Sequence, residues 1–235
     1  MSKRTLNAIP QARFVAGLIA ALALTPSLAS AQATATWNGT SGATWDTTAT
    51  NWTGVSGTPW NLNNGTLNTA NFTSTSGNAT VSGTVFVNTI NYTAGSGSFA
   101  IESGTVNVGG SAPSISVNAS RTLTINITLA GSTDWSKAGA GTLVLAGANT
   151  YTGNTTISAG VLNIRHNNAL GATGAGNGTT INSGAALQLS NNITIAETIS
   201  LNSTGIGGSG GINNLSGSNI ISGAITSGSA NTEGI

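Results

Sequence analysis

The chain has no cysteine, one histidine, four prolines and only 5% charged residues across 235 positions. The missing cysteine excludes disulfide stapling, so stability has to come from the fold itself. An average globular domain is about 25% charged, so ion-pair networks are excluded here as well. The six Lys and Arg residues form no basic patch, which argues against a nucleic-acid partner. What is abundant is glycine, at 33 residues, together with Ser, Thr and Asn. Such composition is common in disordered chains, but 38% of this one is hydrophobic and sits in regular short runs.

The first 31 residues read as a secretory signal peptide. Lys3, Arg4 and Arg13 form a basic region, and "FVAGLIAALAL", Phe14 to Leu24, is apolar but too short to span a bilayer. "ASA", Ala29 to Ala31, supplies the small-residue cleavage signal, with Ala31-Gln32-Ala33 as a second option. Removing this segment takes three positive charges and moves the formal net charge from +1 to −2. No later stretch is long and apolar enough for a transmembrane helix in the mature chain.

Residues 32–80 differ from the rest by their tryptophans. Trp37, Trp45, Trp52 and Trp60 stand among Gly, Thr and Asn. Four large rings in one segment suit the sealing of one end of a core, whose open sheet edge needs protection from further pairing. The alternative is a glycan-stacking face made by the same four residues.

From residue 81 to 235 the chain reads as short strands separated by Gly/Ser/Asn turns. Ile115 and Val117, then Leu123, Ile125, Ile127 and Leu129, alternate with polar residues, as do Leu187 and Leu189. Period 2 places one face inward and one toward solvent. The runs recur every 20 to 25 residues, a period typical of solenoids. The expected fold is all-β, a right-handed parallel β-helix; an antiparallel β-sandwich is the alternative. The sandwich is disfavoured because Asn38-Gly39, Asn64-Gly65 and Asn177-Gly178 do not lie between two well-formed strands.

One unit stands out. "KAGAGTLVLAGANTYTGNTTISAGVLNI", Lys137 to Ile164, resembles the autotransporter-associated β-strand repeat, also called the passenger-associated transport repeat. The matching positions are Lys137, Gly139, Gly141, Thr142, Leu143, Leu145, Gly147, Asn149, Thr150, Tyr151, Thr152, Gly153, Thr155, Ile157, Gly160 and Leu162. The resemblance implies an exported passenger segment that assists autotransporter-type secretion and display at the surface of a Gram-negative-type bacterium. Its implied partners are the outer-membrane translocation machinery and a C-terminal β-barrel. No barrel-like series of strands follows the repeat, and the sequence stops in mid-pattern at "SANTEGI", so a fragment of a longer passenger is expected. Within the unit, alternation points Leu143 and Leu145 inward and Thr142 and Val144 outward. Gly147 and Gly153 belong at corners, and Asn149 caps or ladders a turn.

Chemistry is hard to place. Asp46, Glu102, Asp134, Glu197 and Glu233 are scattered, whereas polysaccharide-cleaving β-helices need clustered carboxylates. Arg165-His166 has no triad or metal spacing around it and reads as a turn. Asp134, Trp135 and Lys137 read as a solvated turn leading into the repeat. "GIGGSGG", Gly205 to Gly211, lacks the Lys of a phosphate loop and reads as a loop between coils. The expectation is therefore no catalysis, no cofactor and no metal. A glycan- or surface-binding adhesin module is the alternative function, and a polysaccharide-degrading enzyme the second.

Overall fold

A computed structural model describes residues 34–46, 51–54, 69–94, 97–174 and 177–228. The expected signal peptide at 1–31, Trp60 and Glu233 lie outside the described residues.

The alternating segments form strands of two to six residues that stack coil upon coil into a parallel β-solenoid of about 7 turns. One wall runs from Thr34–Trp37 through Thr69–Phe72, Thr89–Tyr92, Ser114–Val117, Trp135–Ala138, Thr155–Ile157, Thr179–Ile181 and Ile199–Leu201 to Ile225–Ser227. The second wall runs from Ala43–Trp45 through Gly77–Val81, Gly97–Glu102, Arg121–Ile125, Thr142–Leu145, Gly160–Ile164 and Ala185–Leu189 to Ile212–Asn214. A shorter third side is built by Thr84–Val87, Thr105–Val108 and Thr128–Ala130, and later by Thr194–Ile195 paired with Ile220–Ile221. Among the described residues every strand pairing is parallel except that of Trp52–Thr53, which closes the first edge antiparallel to Thr34–Trp37. That pattern rules out the sandwich, whose sheets are antiparallel.

The coil length follows from the register. Thr69 faces Thr89, Thr89 faces Ser114, Ser114 faces Ser136 and Ser136 faces Thr156. Most spacings fall within the expected 20 to 25 residues; Ile199 faces Ile225, slightly beyond it, and the first coil is much longer, with Thr34 facing Thr69. The corner after the first wall is tight, as from Ile157 to Gly160, but stretches between Leu201 and Ile212. "GIGGSGG" lies in that stretch and includes a 3-10 turn at Ile206–Gly208, in keeping with a loop between coils.

Stacking in register puts like residues in columns. Phe99, Leu123, Leu143, Leu162, Leu187 and Ile212 follow one another along the second wall, as do Ile101, Ile125, Leu145, Ile164 and Leu189. These inward residues are almost all fully buried, each contributing on the order of 1.5–3 kcal/mol. Leu143 and Leu145 point inward as alternation requires. Val144 stands outside the continuous core yet is buried, on the rung below the equally buried Asn163. Outer-face polarity is thus not uniform around the wall.

Candidate functional site

The first wall carries its own inward column: Ile90, Ile115, Lys137, Ile157, Ile181 and Leu201. Lys137 is the exception in chemistry but not in place, since it is 0% exposed. Its four-carbon stem fills a slot that isoleucine fills above and below. Its Nζ donates to the carbonyl oxygens of Ala138 at 2.9 Å, Gly139 at 2.6 Å and Ala159 at 2.9 Å. An ammonium has three protons to donate, so each is used. Ala159 belongs to the following coil, so the ammonium ties two coils at one corner. Burial pushes the Lys137 pKa down to about 8, while the three carbonyl dipoles act the other way and favour the charged form. Gly139, one of the three acceptors, has a left-handed backbone (φ +74°), a conformation that suits glycine.

This overturns the reading of Asp134, Trp135 and Lys137 as a solvated turn. Trp135 and Lys137 are two apart on one strand, so both face inward. Asp134 alone is exposed, and its Oδ1 accepts from the Asn154 backbone N–H at 2.7 Å, one coil on.

Asn149 does what was expected of it, and over three coils. Its Oδ1 accepts from the Leu129 N–H at 2.8 Å, its Nδ2 donates to the Ala169 carbonyl at 2.6 Å, and the residue is 2% exposed. Gly147 and Gly153 lie at bends between the walls. A Cβ at Gly147 would stand 2.0 Å from the Ile127 carbonyl oxygen, and one at Gly153 would stand 2.1 Å from that of Thr133. At both positions close approach to the preceding coil, not backbone twist, demands glycine.

A second buried polar group was missed by sequence reasoning. Tyr151 Oη and Thr155 Oγ1 are 2.9 Å apart, Thr155 is stacked beneath Thr179, and Thr179 Oγ1 donates to Glu197 Oε1 at 3.2 Å. Trp135 meets the Tyr151 ring edge-on at 5.6 Å. Glu197 is 3% exposed, and burial pushes its pKa up to about 7. The same burial, with the Glu197 charge nearby, raises the Tyr151 phenol well above its usual range. Only the ladder that aligns residues 135, 155, 179 and 199 brings these groups together, and spacings of 20 and 24 residues are the sole trace of it in the sequence.

Because the carboxyl of Glu197 titrates higher in the fold than in the unfolded chain, the native state holds the extra proton between about pH 4.5 and 7. Stability is expected to be fully present below that window, to fall by on the order of 2 kcal/mol as pH rises through it, and to level off above it. Urea unfolding at pH 5 and pH 8 checks this. Glu197→Gln should flatten the difference; an unchanged slope in that variant would assign the pH dependence elsewhere.

Trp37, Trp45 and Trp52 lie at the N-terminal end of the stack with their rings packed on one another and on Phe72. Ring centroids are 5.0 Å apart for Trp37–Trp52, 5.3 Å for Trp45–Trp52 and 5.4 Å for Trp52–Phe72, all edge-to-face. All three are buried, at 2%, 0% and 7% exposure. The four acids within the described residues are not gathered at one place, and no group of three metal-ligating side chains occurs among those residues. Among them, no helix is long and apolar enough to cross a membrane.

Residues 136–164 match the family described as the passenger-associated-transport-repeat. A 147-residue stretch, 62% of this chain, is 34% identical to the adhesin BmaC autotransporter of Brucella suis biovar 1 (strain 1330). The chain spans about 4% of that protein's length. No solved structure matches.

Proposed function

We propose that this chain, which carries a passenger-associated transport repeat, is an exported, surface-displayed passenger segment that acts through its architecture. In this reading it enters the export route by the signal peptide at 1–31, crosses the outer membrane with the help of a linked β-barrel translocator, and stands at the surface of a Gram-negative bacterium. The observation that carries the proposal is what the repeat does with its polar side chains. Lys137 and Asn149, two buried polar residues of the repeat, spend their hydrogen bonds on backbone groups of the same and neighbouring coils. A repeat of that kind passes order from one coil to the next, which suits a rod that folds as it emerges.

The adhesin reading is supported by the name of the relative, and it would need a binding face. Sugar stacking on Trp37, Trp45 or Trp52 requires the packed end of the rod to open, since those rings cover one another. The architectural reading needs no such opening. A polysaccharide-degrading role has no paired carboxylates to support it among the described residues.

The test fuses the chain to a β-barrel translocator and reads surface exposure by protease accessibility on intact cells. Deleting residues 136–155 removes one whole coil, because Trp135 pairs with Thr155 and Ser136 with Thr156. Deleting residues 89–113 removes another coil, one that holds none of the tryptophans nor Phe72, and serves as the control. Display is expected to fall several-fold more for the first deletion than for the second. Equal display from both would sink the export role of the repeat.

A further inference from the structure

A groove of about 450 Å³ is lined by Ala146, Arg165, Ser190, Asn191, Leu215 and Ser216. Four of these residues occupy one position in successive coils. Leu145, Ile164, Leu189 and Asn214 stack in register, and Ala146, Arg165, Ser190 and Leu215 are the residues that follow them. Their backbones continue the ladder, with the Arg165 N–H donating to Leu145 O at 2.9 Å, Ser190 to Ile164 O at 3.0 Å and Leu215 to Leu189 O at 2.9 Å. The groove therefore runs along the axis of the rod, roughly 14 Å over three coil steps of about 4.8 Å. It is shaped for a linear ligand.

Arg165 gives the groove its charge. Its Nε donates to Asn163 Oδ1 at 2.8 Å, and the buried Asn163 is itself held by its Nδ2 on Ser190 Oγ at 3.0 Å. The guanidinium is thus oriented from behind, while both Nη nitrogens have no protein partner among the described residues. No carboxylate lines the groove. Of the other cations within the described residues, Lys137 is sealed in its carbonyl cage and Arg121 donates to the backbone oxygens of Ala94 and Ser120. Beside the exposed Arg165 stand the hydroxyl of Ser216, the side-chain amide of Asn191, whose Nδ2 donates to the Arg165 carbonyl oxygen at 3.2 Å and leaves Oδ1 for a ligand hydroxyl, and Leu215, which is 58% exposed, while Ser190 is buried beneath them.

We propose that this groove binds a linear anionic saccharide, with Arg165 gripping its carboxylate or sulfate group through the free Nη pair. A planar fork of donors matches such groups. Hydroxyl and amide side chains suit sugar hydroxyls, and Leu215 offers an apolar face to the ring. An extended peptide is a poorer fit. Peptides add to sheets through unpaired backbone groups, and the wall's backbone N–H groups beside this groove already pair with the neighbouring coil. The site is separate from the tryptophan cluster and from the repeat's buried ties. Binding is measured in vitro, so its failure is distinct from a failure of display.

The test is titration of the purified full chain with four polymers: oligogalacturonate, which carries carboxylates only; dextran sulfate, which carries sulfates only; neutral dextran; and polyglutamate. Binding of one or both anionic saccharides, with neutral dextran inert, is expected, and the tighter of the two identifies the anionic group. Arg165→Gln should weaken that binding by about tenfold or more, and Arg165→Lys should restore part of it. Circular dichroism confirms that each variant keeps its strands. Equal affinity in Arg165→Gln, no binding of either anionic saccharide, or tighter binding of polyglutamate would each overturn the proposal.

Discussion

Lys137→Met is expected to lose about 3 kcal/mol of stability and to lower the melting temperature by roughly 10 °C. Methionine keeps the apolar stem and the length, so the inward column from Ile115 to Ile157 stays filled. What disappears is the donor to Ala138, Gly139 and Ala159. Hydrogen bonds from a charged group are worth about 1.5–3 kcal/mol each. Removing the ammonium also removes its desolvation cost, so the net loss is well below the gross sum. Lys137→Ile, which copies the neighbours in the column, should fare no better, because the same carbonyls lose their donor. A melting curve for either variant that overlays the wild type would show the cage to be incidental.

Trp45→Ala is expected to cost about 3–5 kcal/mol, the usual range for truncating a buried aromatic. Trp45 is fully buried, 5.3 Å from Trp52 and 5.6 Å from Phe72 by ring centroid. The consequence is local first. Losing the ring loosens the first coil, Thr34–Trp37 and Ala43–Trp45, and bares the edges of Thr69–Phe72 and Gly77–Val81. Exposed parallel edges template pairing with other chains. Near-ultraviolet circular dichroism should therefore lose its aromatic signal before the far-ultraviolet strand signal falls, and light scattering should rise with concentration. A loss under about 1 kcal/mol with no added association would mean that the cluster does not cap the rod.

Most of the wall was legible in the sequence because period 2 survives wherever inward residues are apolar. Leu123, Leu143 and Leu162 announce one column directly. Asn149 was legible as a ladder residue because a lone Asn between two glycine corners has few other uses. Lys137 was not, although the strand reading that places Trp135 inward places Lys137 inward too. Lysine is almost never fully buried without partners, and its partners here are backbone carbonyls, which leave no mark in a sequence. Val144 is a second case, an outer-face position that is nonetheless buried. Glu197 and Tyr151 were illegible for a third reason. They are 46 positions apart in the chain, and only the register of the stacked coils brings the two levels together. The groove at Arg165 has the same origin, since residues 146, 165, 190 and 215 become neighbours through register alone.

The central claim is that the repeat ties its coil to the coils beside it through buried polar side chains. Amide hydrogen exchange on the wild type and on Lys137→Met, followed strand by strand, tests it most directly. Faster exchange is expected in Thr155–Ile157, on the following coil that the ammonium ties down, as well as within Trp135–Ala138. Faster exchange confined to Trp135–Ala138, with Thr155–Ile157 as protected as in the wild type, would contradict it.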